Sequence, residues 1–421
     1  MQSSIKLRLT VMNFLQFAVW GAYLTSMGRY LGTAGFGSEI GNFYAMQGLV
    51  SLFMPALMGI VADRWIPAQR LLGVCHMLAG MLMLGVFLYT QTDAPSYPSL
   101  FALYSLSVAF YMPTLALSNS VAYTSLDQAG LDLVKSFPPI RVFGTVGFIC
   151  TMIAVSLLGL EATSGQFAVS AIISLVLAVY AQTLPNCPTA PKGQSKSLVE
   201  ALGLRAFVLF KQRKMALFFI FSMLLGVSLQ ITNGFANPFI STFGEIPAYA
   251  DTFGVKYANI LISLSQLSET LCILLIPFAL RRFGIRRVML IAMVAWVLRF
   301  ALLGLGNPGS GVWLFLLSMI VYGVAFDFFN VSGSLFVDKE TDPSIRSSAQ
   351  GLFMIMTNGI GATLGSLGAQ AVINRFVYSQ NEATAILSGW TTSWYIFAGY
   401  AAVVAVLFAL LFRYNTATEA K

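Results

Sequence analysis

Apolar runs about as long as a membrane-spanning helix recur from one end of this chain to the other, and nothing else in the sequence limits its fold so strongly. Crossing hydrocarbon takes about 20 residues of α-helix, because each backbone N–H and C=O must find a partner inside the segment. Runs bounded by charge, Pro and Gly lie near 7–30, 40–62, 70–90, 98–122, 138–160, 166–184, 215–241, 256–280, 287–305, 312–336, 349–372 and 390–412. Segments of that number and length use most of the 421 residues and leave no room for a separate globular domain. Only 10% of residues are charged, against roughly 25% in soluble domains, which excludes a soluble enzyme. The pattern predicts an all-α polytopic membrane protein with 12 transmembrane helices. One long polar stretch, 185–214, divides the spans into a six-helix half at 1–184 and another at 215–421.

The net charge of +8 is explained by topology. With a cytosolic amino terminus, the cytosolic segments collect Lys6, Arg8, Arg64, Arg70, Lys135, the linker cluster, Arg281, Arg282, Arg286, Arg287, Lys339, Arg346 and Arg413, while the opposite side receives Arg29, Lys256 and Arg375. This is the positive-inside pattern; it places both termini in the cytosol and calls for no nucleic-acid partner. The amino end has a basic start and an apolar run too long for a signal sequence, so it reads as a retained first helix. The halves also echo each other. PALMGIVADRWIPAQR (55–70) and PFALRRFGIRR (277–287) occupy equivalent places about half a chain apart, as pseudo-equivalent transporter halves do.

Candidate chemistry lies where polar residues interrupt the spans. Cys75, Cys150, Cys187 and Cys272 lack metal-type spacing and read as packing residues. His76 has no second histidine or Ser-His-Asp order and reads as an interhelical hydrogen-bonder, so neither a metal site nor an enzyme site is expected. Ionisable residues inside spans cost about 2.5–3.5 kcal/mol at a helix centre and persist where they face a cavity or a partner. Arg141, Glu269, Arg299 and Asp327 are such residues. Arg141 either pairs with Asp327 or snorkels to the headgroups. Glu269, central in its span, has no such escape.

Neutral hydrogen-bonders and rings accompany these charges at helical spacing: Arg141, Thr145 and Phe148; Gln230 and Asn233; Gln266 and Glu269; Tyr322, Phe326 and Phe329 beside Asp327. Each set alone is compatible with interhelical packing, but four spans with such faces at similar depth point to a shared cavity. Amides, a hydroxyl and rings suit a neutral polyhydroxylated solute; the scarcity of cations argues against a phosphorylated one. A carboxyl withdrawn from water holds a proton more readily. Glu269 or, with roles exchanged, Asp327 is therefore the expected proton carrier. In the eleventh span Gly361 and Gly365 have the small-xxx-small spacing of close helix contact, and Pro138 and Pro139 are expected to start the fifth, where a missing amide donor costs nothing. These residues alone leave open a sugar or drug carrier, or a non-transporting receptor.

At GIVADR the chain resembles the major facilitator superfamily, whose loop after the second helix carries a G-x-x-x-D-R-x-G motif. Gly59, Asp63 and Arg64 match; the later glycine is absent. FMPALMGIVAD, FPPIRVFGTVGFI, LQITNGFANPF, SQLSET, MIVYGVAFDFFNVSGSLFV and IRSSAQGLF together resemble the bacterial nucleoside:proton symporter family within it, from the first span to the twelfth. The resemblance implies two pseudo-symmetric six-helix bundles with a central site, and proton-coupled import of purine or pyrimidine nucleosides by alternating access across the inner membrane. It implies substrate binding at Arg141, Thr145, Phe148, Gln230, Asn233, Gln266, Glu269, Tyr322 and Phe326, and proton coupling or a charge pair among Glu269, Asp327 and Arg141. The expected partners are a nucleoside, a proton and the lipid bilayer, with the chain acting as a monomer without cofactor.

Overall fold

The computed structural model describes residues 2–189 and 204–414. Of the expected linker, 190–203 lie outside the described residues. The chain is helical: α1 (Gln2–Gly21), α2 (Met27–Thr33), α3 (Ile40–Ser51), α4 (Met54–Arg64), α5 (Ala68–Tyr89), α6 (Tyr97–Gln128), α7 (Leu133–Leu157), α8 (Gly165–Ala181), α9 (Arg213–Thr242), α10 (Ala258–Leu305), α11 (Val312–Glu340), α12 (Arg346–Met354), α13 (Ala362–Phe376) and α14 (Ala383–Leu411). Among the described residues no strand forms, and nine helices are long and apolar enough to cross a membrane.

Helices cover the stretches expected as spans, with physical departures. The first breaks at 22–26 between α1 and α2, where the Ser26 hydroxyl donates to Gln166 Oε1 at 2.9 Å. The second breaks at 52–53, and Pro55 then lies in the first turn of α4, where its missing amide is harmless. The eighth and ninth spans are the two arms of α10. They reverse at Gly284, whose φ of 73° is open to glycine at no steric cost. Arg299 Nη1 lies 3.4 Å from Ser265 Oγ, so the arms run back along each other. One expectation is corrected: Pro138 and Pro139 do not start the fifth span, because α7 begins at Leu133 and both lie inside it. The amides they lack would bond the carbonyls of residues 134 and 135, in the opening turn where water and headgroups can serve them.

The chain forms two compact units, Met1–Tyr30 with Leu49–Leu202, and Leu31–Gly48 with Gly203–Lys421. The first unit packs Leu9 and Met12 of α1, Leu72 and Cys75 of α5, Val121 of α6 and Leu177 of α8 into an apolar core, and Cys187 joins it. The four cysteines are free. Fully buried His76 acts as a bridge: Nδ1 lies 2.9 Å from Ser174 Oγ on α8 and Nε2 lies 2.8 Å from Gln16 Oε1 on α1. Gln16 Nε2 continues the chain to Thr114 Oγ1 on α6 at 2.7 Å. Every link satisfies a polar group inside an apolar bundle, where an unmet one costs about 1–3 kcal/mol.

The second unit is held by aromatic packing. Phe218 lies 4.7 Å from Phe336 and 5.4 Å from Phe353, while Phe239 contacts Trp394 at 5.5 Å and Phe315 at 5.7 Å. Its basic residues serve helix ends. Arg286 donates to the Phe412 and Ala409 carbonyls at 2.6 and 2.7 Å, a favourable cation at the carboxyl end of α14. Lys214 pairs with Glu340, and Arg346 with Asp338 at 3.2 Å. Within this unit Gln370 of α13 grips the 37–41 segment, accepting from the Gly41 amide and donating to the Gly37 carbonyl.

Candidate functional site

In the first unit the polar face belongs to α7. Arg141 and Thr145 are half-buried and Phe148 is buried, while Val142, Phe143 and Val146 on the other side are exposed. That split follows from helical spacing: residues at i, i+4 and i+7 share one face, and the apolar ones between them are left exposed. The face is set by a close helix contact. A Cβ on Gly147 would collide with the Phe14 carbonyl of α1, so glycine lets the two backbones touch.

The close contact brings two α1 rings to the α7 residues. The guanidinium carbon of Arg141 sits 4.0 Å above the centroid of Phe17, a cation–π arrangement that partly replaces lost hydration. Trp20 meets Phe148 edge-on at 6.4 Å and Tyr111 at 6.0 Å. The Tyr111 hydroxyl is committed to the Gln16 carbonyl at 2.9 Å. Phe17 and Trp20 were not among the expected site residues. Their i, i+3 spacing on α1 is the signal that pointed to them.

In the second unit, α9 carries Gln230 and Asn233, half-buried and linked by a 2.8 Å bond from Asn233 Nδ2 to Gln230 Oε1. The remaining residues meet where the first arm of α10 lies against α11. Gly323, next to Tyr322, has no room for a Cβ against the Ser268 backbone, and the Ser268 hydroxyl donates to the Ile320 carbonyl. The resulting proximity places Tyr322 within electrostatic reach of Glu269 and Asp327, with its hydroxyl towards Gln266. Phe326 stacks on Tyr322 at 5.6 Å and 16°.

Asp327 is 5% exposed, feels the charge of Glu269, and its Oδ2 has no hydrogen-bond partner among the described residues. A buried carboxyl and a half-buried one thus lie near a buried tyrosine and a half-buried amide. Such a group can take up and release a proton and can hydrogen-bond a polar solute. Gly59, Asp63 and Arg64 occupy the last two turns of α4; the reversal itself is made by Trp65–Pro67. Among the described residues no cluster of His, Cys, Asp and Glu could hold a metal ion.

A family model described as nucleoside H+ symporter matches residues 3–417. The chain is 49% identical to the xanthosine permease of Escherichia coli (strain K12) over 98% of this chain and 97% of that one. It is 47% identical to the nucleoside permease NupG of the same organism, again over 98% and 97%. A crystal structure of a mutant of nucleoside transporter NupG superimposes with a TM-score of 0.91 at 46% identity, covering 97% of this chain and 100% of that chain.

Proposed function

The chain belongs to the nucleoside H+ symporter family, and from that premise we propose that it imports nucleosides together with protons by alternating access. It is a polytopic membrane transporter, not an enzyme. We place it in the bacterial inner membrane with both termini cytosolic, as 12 spans arranged in halves at 1–184 and 215–421 joined by the cytosolic segment 185–214. It works as a monomer in lipid and has no nucleic-acid partner.

Each unit contributes a polar face to nucleoside recognition. Phe148, Tyr322 and Phe326 supply ring surfaces for the base, while Gln230, Asn233, Gln266 and Thr145 supply donors and acceptors for ribose hydroxyls and base edges. Arg141 supplies the cation in the first unit. Glu269 or, with roles exchanged, Asp327 carries the transported proton, and Gly59, Asp63 and Arg64 form a cytosolic latch. The observation that carries this reading is the meeting of Gln266, Glu269, Tyr322, Phe326 and Asp327 at one place inside membrane-length helices. Purely structural polar contacts would be spread among satisfied pairs, as His76, Gln16 and Thr114 are.

Competition tests the substrate class. In proteoliposomes, unlabelled adenosine, uridine and xanthosine are expected to reduce uptake of labelled uridine, while a disaccharide leaves it unchanged. Absence of protein-dependent uridine uptake, together with protein-dependent uptake of a labelled disaccharide, would instead identify a sugar carrier.

A further inference from the structure

Arg299, in the second arm of α10, is 2% exposed and pairs with no carboxylate among the described residues. A lone cation at that depth is costly, and an apolar residue of similar volume commonly serves a purely structural position as well or better. Its surroundings show what the charge does. Nη1 donates to the Ser318 carbonyl at 2.8 Å, and the guanidinium carbon lies 4.5 Å from the centroid of the Tyr322 ring. Ser318 is one helical turn before Tyr322, so Arg299 grips α11 at the carbonyl facing the Tyr322 amide. Trp296, one turn before Arg299 on the same arm, meets the same ring edge-on at 5.9 Å and 86°.

We propose that Arg299 is a positioning residue for substrate: with Trp296 it clamps the buried Tyr322 ring, and through it the half-buried Phe326 ring stacked on Tyr322, as the aromatic wall against which a nucleoside base rests. The inference rests on the reading that Tyr322 binds nucleoside. A planar cation fits this task because it attracts a ring face while its edge donates to a carbonyl. A methionine fills the space and does neither. The clamp also fixes the direction of the hydroxyl, which points to Gln266.

The test is a double-mutant cycle on purified full-length protein, with uridine affinity and thermal unfolding as readouts. Arg299→Met is expected to unfold at or above the wild-type temperature and to bind uridine roughly ten-fold more weakly. Tyr322→Leu weakens binding too, and the double variant binds no more weakly than Tyr322→Leu alone. Wild-type affinity in Arg299→Met, or a double variant that loses the product of both factors, overturns the clamp while leaving the nucleoside site standing. Wild-type affinity in Tyr322→Leu removes the reading of Tyr322 and the clamp together. Should Arg299→Met not be recovered folded, Arg299→Gln keeps a donor for the Ser318 carbonyl without the charge, and carries the same expectation and the same refutation.

Discussion

Glu269→Gln is expected to exchange labelled for unlabelled uridine across a vesicle membrane and to lose all gradient-driven accumulation. The reason is the separation of binding from coupling. Glutamine keeps the shape and the hydrogen-bonding of a carboxyl but cannot carry a proton, so solute still crosses while the proton no longer drives it. One pH unit corresponds to about 1.36 kcal/mol, or ten-fold, per coupled proton. Wild-type vesicles should therefore concentrate uridine about ten-fold per proton under that gradient, and the variant should stop at equal concentrations. The measurement is steady-state accumulation beside counterflow. Undiminished accumulation by Glu269→Gln would move the proton to Asp327, whose Oδ2 is buried without a partner in the same cluster.

A large structural effect, coupled to the candidate site, is expected from Gly147→Val. A side chain there meets backbone atoms of Phe14 rather than the end of a flexible side chain, so relief requires α1 and α7 to separate. Overpacking of a well-packed contact typically costs about 1–3 kcal/mol, and a main-chain collision belongs at or above the top of that range. Separation would also move Arg141, Thr145 and Phe148 away from Phe17 and Trp20. Gly147→Val should therefore lower the unfolding temperature and abolish uptake together. Gly368→Ala is the control, since nothing lies within 4 Å of a Cβ there. Wild-type stability in Gly147→Val would contradict the tight α1–α7 contact.

Hydropathy located the spans because lipid-facing residues must be apolar and loops need not be. The breaks at 22–26 and 52–53 and the π-helical segment Ile355–Gly361 lie at or beside polar, Gly or Pro residues (Thr25 and Ser26, Pro55, Asn358 and Gly359), but apolar residues on both sides keep each within one hydropathy run. Gly361 and Gly365 were readable from their spacing, and both lie directly against α9 carbonyls, of Met223 and Val227. Gly147 was not read this way, since it stands three residues from Gly144 rather than four and the spacing does not reveal which neighbour needs the space.

The candidate residues stood out because a polar group in an apolar run has a cost that demands a reason. Aromatic residues carry no such cost, and so Phe17 and Trp20 were not singled out although their i, i+3 spacing was readable. Arg299 was visible as a buried charge, but its ring partner lies on another helix and has no expression in local spacing.

The most direct test of proton-coupled nucleoside import is uptake of labelled uridine into vesicles holding the wild-type protein, with the outside made acidic and then with the gradient collapsed by a protonophore. The expected result is accumulation above the outside concentration that disappears with the gradient, accompanied by alkalinisation of the medium when uridine is added to protein-containing vesicles. Equal uridine uptake with and without the gradient, and no proton movement on adding uridine, would contradict it.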